Sequence, residues 1–340
     1  MGAICMKRLM LAIACLLSLP CGAARADDAL PFATAVTPAA DERAVREAIG
    51  AQVKAAIAAD DFAGLNRLEL DYLKSRARTP GGRWKLATFH DYLRYDLGEG
   101  LVAKLGCEYR KADFVRRWAA ATPHSPAPFI TDAALLHDRA WCWRGSGFAD
   151  DVPADAWPKF HADVAAAAEV LDQHRWAASD PEFYAIRVNI ARSQSKGLDA
   201  VQALVDKGTA REPDYFPIYD NALFSFLPQW GGSMAALDQF AHYAAHRSAA
   251  TEGSGFYARS YISMQECRCI SIVHHPDWPA MKQAMQDIYA HYPVPWNGNL
   301  HATYACWYGD DDEVKRYIRV MHPEATDDRA VEALFKLCQY

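Results

Sequence analysis

Apolar residues recur every three or four positions along nearly the whole chain. Val45, Ile49, Val53 and Ile57 form one stripe, and Phe62, Leu65, Leu68 and Tyr72 form the next. That spacing puts each set on one face of a helix. Asp41 opens the first helix. Asp60-Asp61 breaks it and caps the second, because a short acidic side chain accepts from the free N–H groups of a first turn. Two such helices joined by a tight turn make an αα-hairpin. The pattern then repeats. Thr79-Pro80-Gly81-Gly82 is a turn, and the helix after it carries Trp84, Phe89, Tyr92, Leu93 and Leu97. Further helix runs through Leu101, Cys107, Phe114 and Trp118, and Pro128 starts another with Ile130, Leu135 and Trp141 on its face. Gly145-Ser146-Gly147 stops that one. Helices are predicted over Asp155–His174, from Asp180-Pro181 through Ile190, over Leu198–Val205, Phe256–Val273, Pro276–Tyr292 and Asn299–Tyr308, around Val314–Met321, and over Thr326–Cys338. No stretch alternates with period two between hairpin turns, so strands are not expected.

The most sharply punctuated stretch is Glu212–His246. Ile218, Leu223 and Leu227 mark an apolar face, and Pro228 ends the helix by forcing its predecessor out of helical geometry. Gly231 and Gly232 permit the positive φ of a sharp reversal. Ser233 is the expected N-cap of a helix carrying Met234, Leu237, Phe240, Ala241 and Ala244. Trp230 then stands at the corner of a hairpin, either sealing it or facing a ligand.

A short apolar run, Leu9–Leu19, follows Lys7 and Arg8 and precedes Ala24-Arg25-Ala26, a small-x-small cleavage pattern. Residues 1–26 therefore read as a signal peptide, with the mature chain starting at Asp27 and reaching the periplasm or the medium. Pro20 before Cys21 disfavours a lipoprotein site. Residues 27–40 read as a disordered tail, and 41–340 as a single helical-repeat domain. Removing Lys7, Arg8 and Arg25 takes the formal net charge from −6 to −9, a poor balance for binding nucleic acid or an anionic membrane. No later run is apolar enough for a membrane span.

Six cysteines follow the leader: Cys107, Cys142, Cys267, Cys269, Cys306 and Cys338. An even number in an exported chain predicts disulfides. Cys107 and Cys142 should pair. Residues two apart on a helix point about 200° apart, so Cys267 and Cys269 should take different partners, one Cys306 and the other Cys338. The same geometry argues against a metal site shared by Cys267, Cys269, His274 and His275.

No other motif carries chemistry. Gly145-Ser146-Gly147-Phe148 and Gly253-Ser254-Gly255-Phe256 echo each other but lack the nucleophile-elbow pattern, and read as helix-entry caps. Asp310-Asp311-Asp312-Glu313 lacks calcium-loop spacing and suits a helix N-terminus. No zinc-protease or phosphate-loop motif occurs, so no cofactor or metal is implied. His90 and Asp91, beside Trp84 and Tyr92, are the least ordinary group among twelve histidines.

Gly82-Arg83-Trp84-Lys85-Leu86 and Pro228-Gln229-Trp230-Gly231-Gly232-Ser233, with Trp118–Ser125 and Tyr257-Ala258-Arg259, resemble the bacterial domain-of-unknown-function family 4034 over nearly the whole mature chain. The resemblance implies a tetratricopeptide-like helical fold and no known chemistry. The family position before the tryptophan is often basic. Here it is Gln229, so an anion contact at that position would be lost. The expected molecule is an all-α, irregular tetratricopeptide-like array of antiparallel helix pairs. It would bind a protein or small ligand in a concave aromatic groove, with Trp84, His90, Tyr92, Tyr215, Tyr219 and Trp230 as contacts. The alternative is a hydrolase-like enzyme with a site assembled from distant His, Asp and Glu residues.

Overall fold

The computed structural model describes residues 41–267, 269–270 and 276–321. The predicted signal peptide and tail, the end of the Phe256–Val273 helix, His274 and His275, and the helix over Thr326–Cys338 lie outside them. The described residues are all-α, with fourteen α-helices: α1 Glu42–Ala58, α2 Phe62–Ser75, α3 Lys85–Leu97, α4 Ala112–Ala121, α5 Ala127–Arg144, α6 Ala156–Gln173, α7 Glu182–Ser193, α8 Leu198–Thr209, α9 Phe216–Leu223, α10 Met234–Glu252, α11 Gly255–Glu266, α12 Trp278–His291, α13 Pro295–Trp307 and α14 Asp311–Met321.

The sequence punctuation acts where expected. Asp41 accepts from the amides of Arg43 and Ala44, Asp61 from Gly64, and Ser233 from Ala236. Leu227 is extended ahead of Pro228. Gly231 sits at φ 88°, and a Cβ on Gly232 would stand 2.1 Å from the Phe226 carbonyl oxygen. The two glycines are thus needed for different reasons, one for its backbone angle and one for a close approach. Other boundaries differ. Trp84 is the residue before α3, not inside it, because its backbone is extended and pairs with Arg78 as an isolated bridge. Cys107 lies between helices at φ 54°.

Each helix packs on its chain neighbour across most turns. In addition, α1, α3, α5, α7, α9 and α11 each pack on the next of that series. The odd-numbered helices from α1 to α11 form one continuous layer and the even-numbered ones flank it, an array of helix pairs. The largest apolar cluster runs from α1–α4 to α7–α13 and contains Trp84, Trp118, Tyr215 and Tyr219. A second cluster lies between α5, α6 and α7, around Trp141, Phe160 and Ile186. A third joins α13 to α14. Trp230 packs against the first and the second.

Candidate functional site

Five of the six aromatic and histidine contacts expected from the sequence belong to the core. Trp84, His90, Tyr92, Tyr215 and Tyr219 are all buried, Tyr92 the least so at 9% exposed. Trp84 meets Tyr215 edge-on at 5.4 Å, and Tyr219 packs on Phe256 at 4.9 Å. Their surfaces are taken up by the protein, because large aromatics fill interiors before they furnish grooves. Trp230 differs. It is half-buried, meets Trp141 edge-on at 5.6 Å, and faces a cleft.

That cleft holds about 450 Å³ and is lined by Trp141, Trp157, Phe160, Arg144, Arg192 and Trp230 among others. Three helix ends and one turn build it. The last turns of α5 and α7 supply Arg144, Arg192 and Ser193, and the first turn of α6 supplies Trp157 and Phe160. Gly145 stops α5 at φ 71°, and the Gly145-Ser146-Gly147-Phe148 segment then forms the rim. This segment is therefore a helix exit, not the helix-entry cap expected. Its echo does open α11: the amide and hydroxyl of Ser254 both donate to Asp287, at 2.7 Å each.

The floor is a closed polar group. The hydroxyl of Ser193 lies 2.9 Å from Nε2 of His137, and the Trp141 indole N–H is 3.1 Å from both. Burial holds His137 neutral, with its pKa lowered to about 3, so Nε2 accepts. A serine beside a histidine invites a nucleophile-and-base reading, and three features oppose it here. A base this weak is poorly matched to neutral pH. Ser193 ends α7, where free carbonyls rather than N–H groups point outward, the wrong dipoles for an oxyanion. Its side chain is buried. The pair is a structural hydrogen bond.

The arginines are less settled by their surroundings. Arg144 lies over the rings of Trp141 and Trp157, at 4.9 and 5.5 Å, and donates to the carbonyls of Gly145 and Gly147. Arg192 lies over Phe224 and Trp230, at 5.2 and 5.6 Å, and donates to the Asn221 carbonyl at 2.9 Å. Among the described residues neither forms an ion pair, and Nε of Arg192 is buried without a hydrogen-bond partner. Desolvation lowers the pKa of both, that of Arg192 to about 10 with Arg94 adding repulsion.

His90 and Asp91, the group singled out in the sequence, separate. Asp91 accepts from Arg83 at 2.6 Å. Nε2 of His90 meets Asp180 at 2.8 Å, both fully enclosed. Around them Ser125 donates to Glu69, Tyr215 donates to Glu182 at 2.8 Å, and the amide of Glu182 donates to Asp180 at 2.8 Å. Burial opposes the charge on His90, but Asp180 beside it raises the pKa to about 9. Burial raises Glu69 to about 8, with Asp180 adding to the rise, and Glu182 to about 7. This lattice ties α2, α3, α7 and the entry of α9 together, and none of its residues lines the cleft.

Cys107 and Cys142 form the expected disulfide. The scheme for the C-terminal cysteines needs correction. Cys267 and Cys269 bond to each other, because α11 ends at Glu266 and the opposed helical directions do not apply beyond it. Cys306 is also disulfide-bonded, and Cys338 lies outside the described residues. Among the described residues no group of three His, Cys, Asp or Glu side chains is placed to hold a metal ion, and no helix is long and apolar enough to cross a membrane.

The sequence reading missed Arg144, Arg192, Trp157 and Ser193. The available signal was an arginine in the last turn of each of two amphipathic helices, and that pattern is also ordinary helix capping. Compared with known families, curated proteins and solved structures, the chain finds no match.

Proposed function

We propose that this is an exported, non-catalytic binding protein that takes a small aromatic ligand in the cleft between α5, α6, α7 and the Trp230 turn. One observation carries the reading: Trp141, Trp157 and Trp230 converge on a single cleft of about 450 Å³. That volume suits one small ligand, and ligand sites are typically apolar and aromatic with a few polar groups. The closed Ser193–His137–Trp141 floor supports binding over turnover. The leader and the Cys107–Cys142 bond support export. We read the helix pairs as tetratricopeptide-like, and the resemblance to family 4034 stands within the same proposal.

The test is a thermal-shift screen of the mature protein against small aromatic compounds, repeated with Trp157→Ala. Trp157 is half-buried, so its loss should leave the fold intact. Compounds that raise the melting temperature of the parent but not of the variant support the reading. Shifts that survive both Trp157→Ala and Trp230→Ala, or chemical conversion of the compound, contradict it.

A further inference from the structure

We infer that the ligand of this cleft carries an anionic group, held by Arg192 at the inner end and Arg144 at the rim. This deepens the binding proposal and rests on it. The class favoured is an organic anion with a planar ring, such as an aryl carboxylate.

The argument is one of charge accounting. Two guanidinium groups line one cleft, and no carboxylate pairs with either among the described residues. The nearby acids are committed elsewhere or stand off. Asp138 is held by Arg94. Asp163 is held by Arg139 and the Trp143 indole. Asp150 is an exposed rim residue that pairs with neither arginine. Among the described residues, the other arginines whose charge burial most opposes have acidic partners: Arg78 has Asp214, Arg83 has Asp91, Arg94 has Asp138 and Arg259 has Glu252. Arg247, whose Nε is also buried without an acceptor among these residues, donates to Thr209 and the Asp206 carbonyl instead.

Burying an uncompensated cation is costly. Two local features offset part of that cost. Both arginines sit over aromatic faces, and each occupies a last helical turn, where the backbone presents about half a negative charge. Half a charge does not neutralise a whole one. The donors are also incomplete: Arg192 uses Nη1 on Asn221, while Nε finds no acceptor. Nε is enclosed, so a carboxylate in the cleft would accept from the remaining terminal nitrogen, a charge-assisted contact. The tryptophan walls then take the planar ring that follows.

The experiment is isothermal titration calorimetry on the mature protein with benzoate, indole-3-carboxylate, the matching amides, and inorganic phosphate. The acids should bind at least about ten-fold tighter than their amides, a difference of about 1.4 kcal/mol. Arg192→Gln should reduce that preference to near unity while leaving amide binding intact. Arg192→Lys should restore only part of it, because a compact ammonium does not reproduce the planar guanidinium that lies over Trp230. Arg144→Gln, at the half-exposed rim, gives a second variant should Arg192→Gln fail to fold, and should also weaken the acids alone. Equal binding of acid and amide, both lost in Trp157→Ala, overturns the anion and leaves the cleft standing. Phosphate binding as tightly as the aryl acids overturns the planar-ring class. No binding by any aromatic probe overturns both.

Discussion

The lattice around His90 and the cleft around Arg192 use similar polar and aromatic side chains and share a helix, α7, yet their charges are balanced in opposite ways. At the start of α7, Glu182 accepts from Tyr215, and Asp180 meets His90 and accepts from the Glu182 amide. The strongly polar groups there pair with protein partners, although Oε1 of Glu69 is buried without a hydrogen bond among the described residues. At the end of the same helix, Arg192 faces carbonyl and ring but no anion, and about 450 Å³ stands open beside it. A closed balance marks structure and an open one marks a place for something else. The sequence favours the opposite choice, because histidine beside aspartate looks more like chemistry than arginine at a helix end.

The comparison can be broken at its closed side first. Asp180→Asn should cost about 3–5 kcal/mol of unfolding free energy, as expected when one member of a buried pair is removed. Chemical denaturation measures it, and a cost below about 1 kcal/mol would mean that the lattice is not structural. One wall of the open side is the Trp230 turn, which packs on both apolar clusters. Gly232→Val should cost about 3 kcal/mol, because its Cβ meets the Phe226 backbone at 2.1 Å. A neutral result would displace the turn that positions Trp230.

A pH series comes next. His90, Glu69 and Glu182 have folded pKa values of about 9, 8 and 7, each above its ordinary unfolded value. The folded state therefore holds protons that the unfolded state has released, and the stability tied to them is lost as pH rises through those values. Unfolding free energy should fall by about 4 kcal/mol between pH 7 and pH 9 if all three groups act, about half of it from His90, and Asp180→Asn should flatten that fall. A rise over the same interval would contradict the lattice. The smallest effect belongs to the open side. Arg192→Met should change stability by no more than about 1 kcal/mol, in either direction, since no partner charge is stranded. A loss comparable to Asp180→Asn would mean that Arg192 is paired after all.

The sequence carried the all-α class, most helix boundaries, the Asp41, Asp61 and Ser233 caps and the Trp230 reversal, because these depend on local spacing and backbone chemistry. The Cys107–Cys142 bond was legible because only these two cysteines lie in the N-terminal half of the mature chain, although Cys107 sits between helices and not on one. The Cys267–Cys269 bond was not, since its prediction turned on where α11 stops, and periodicity alone does not fix a helix end. The site was legible only at Trp230. Whether Trp84 or Tyr215 faces a groove or a core depends on which helices pair across the layer, and nothing in their local spacing carries that. Arg192 is visible only by subtraction, after Arg78, Arg83, Arg94 and Arg259 have been given their acids.

The most direct measurement is 19F NMR of protein carrying 5-fluorotryptophan, titrated with indole-3-carboxylate, with resonances assigned by single Trp→Phe substitutions. Trp141, Trp157 and Trp230 line the cleft, while Trp84 and Trp118 are fully enclosed in the other cluster. The account predicts saturable shifts of the three cleft resonances with the two core resonances unmoved. Movement confined to Trp296 or Trp307, or no saturable shift at Trp141, Trp157 and Trp230, would contradict it.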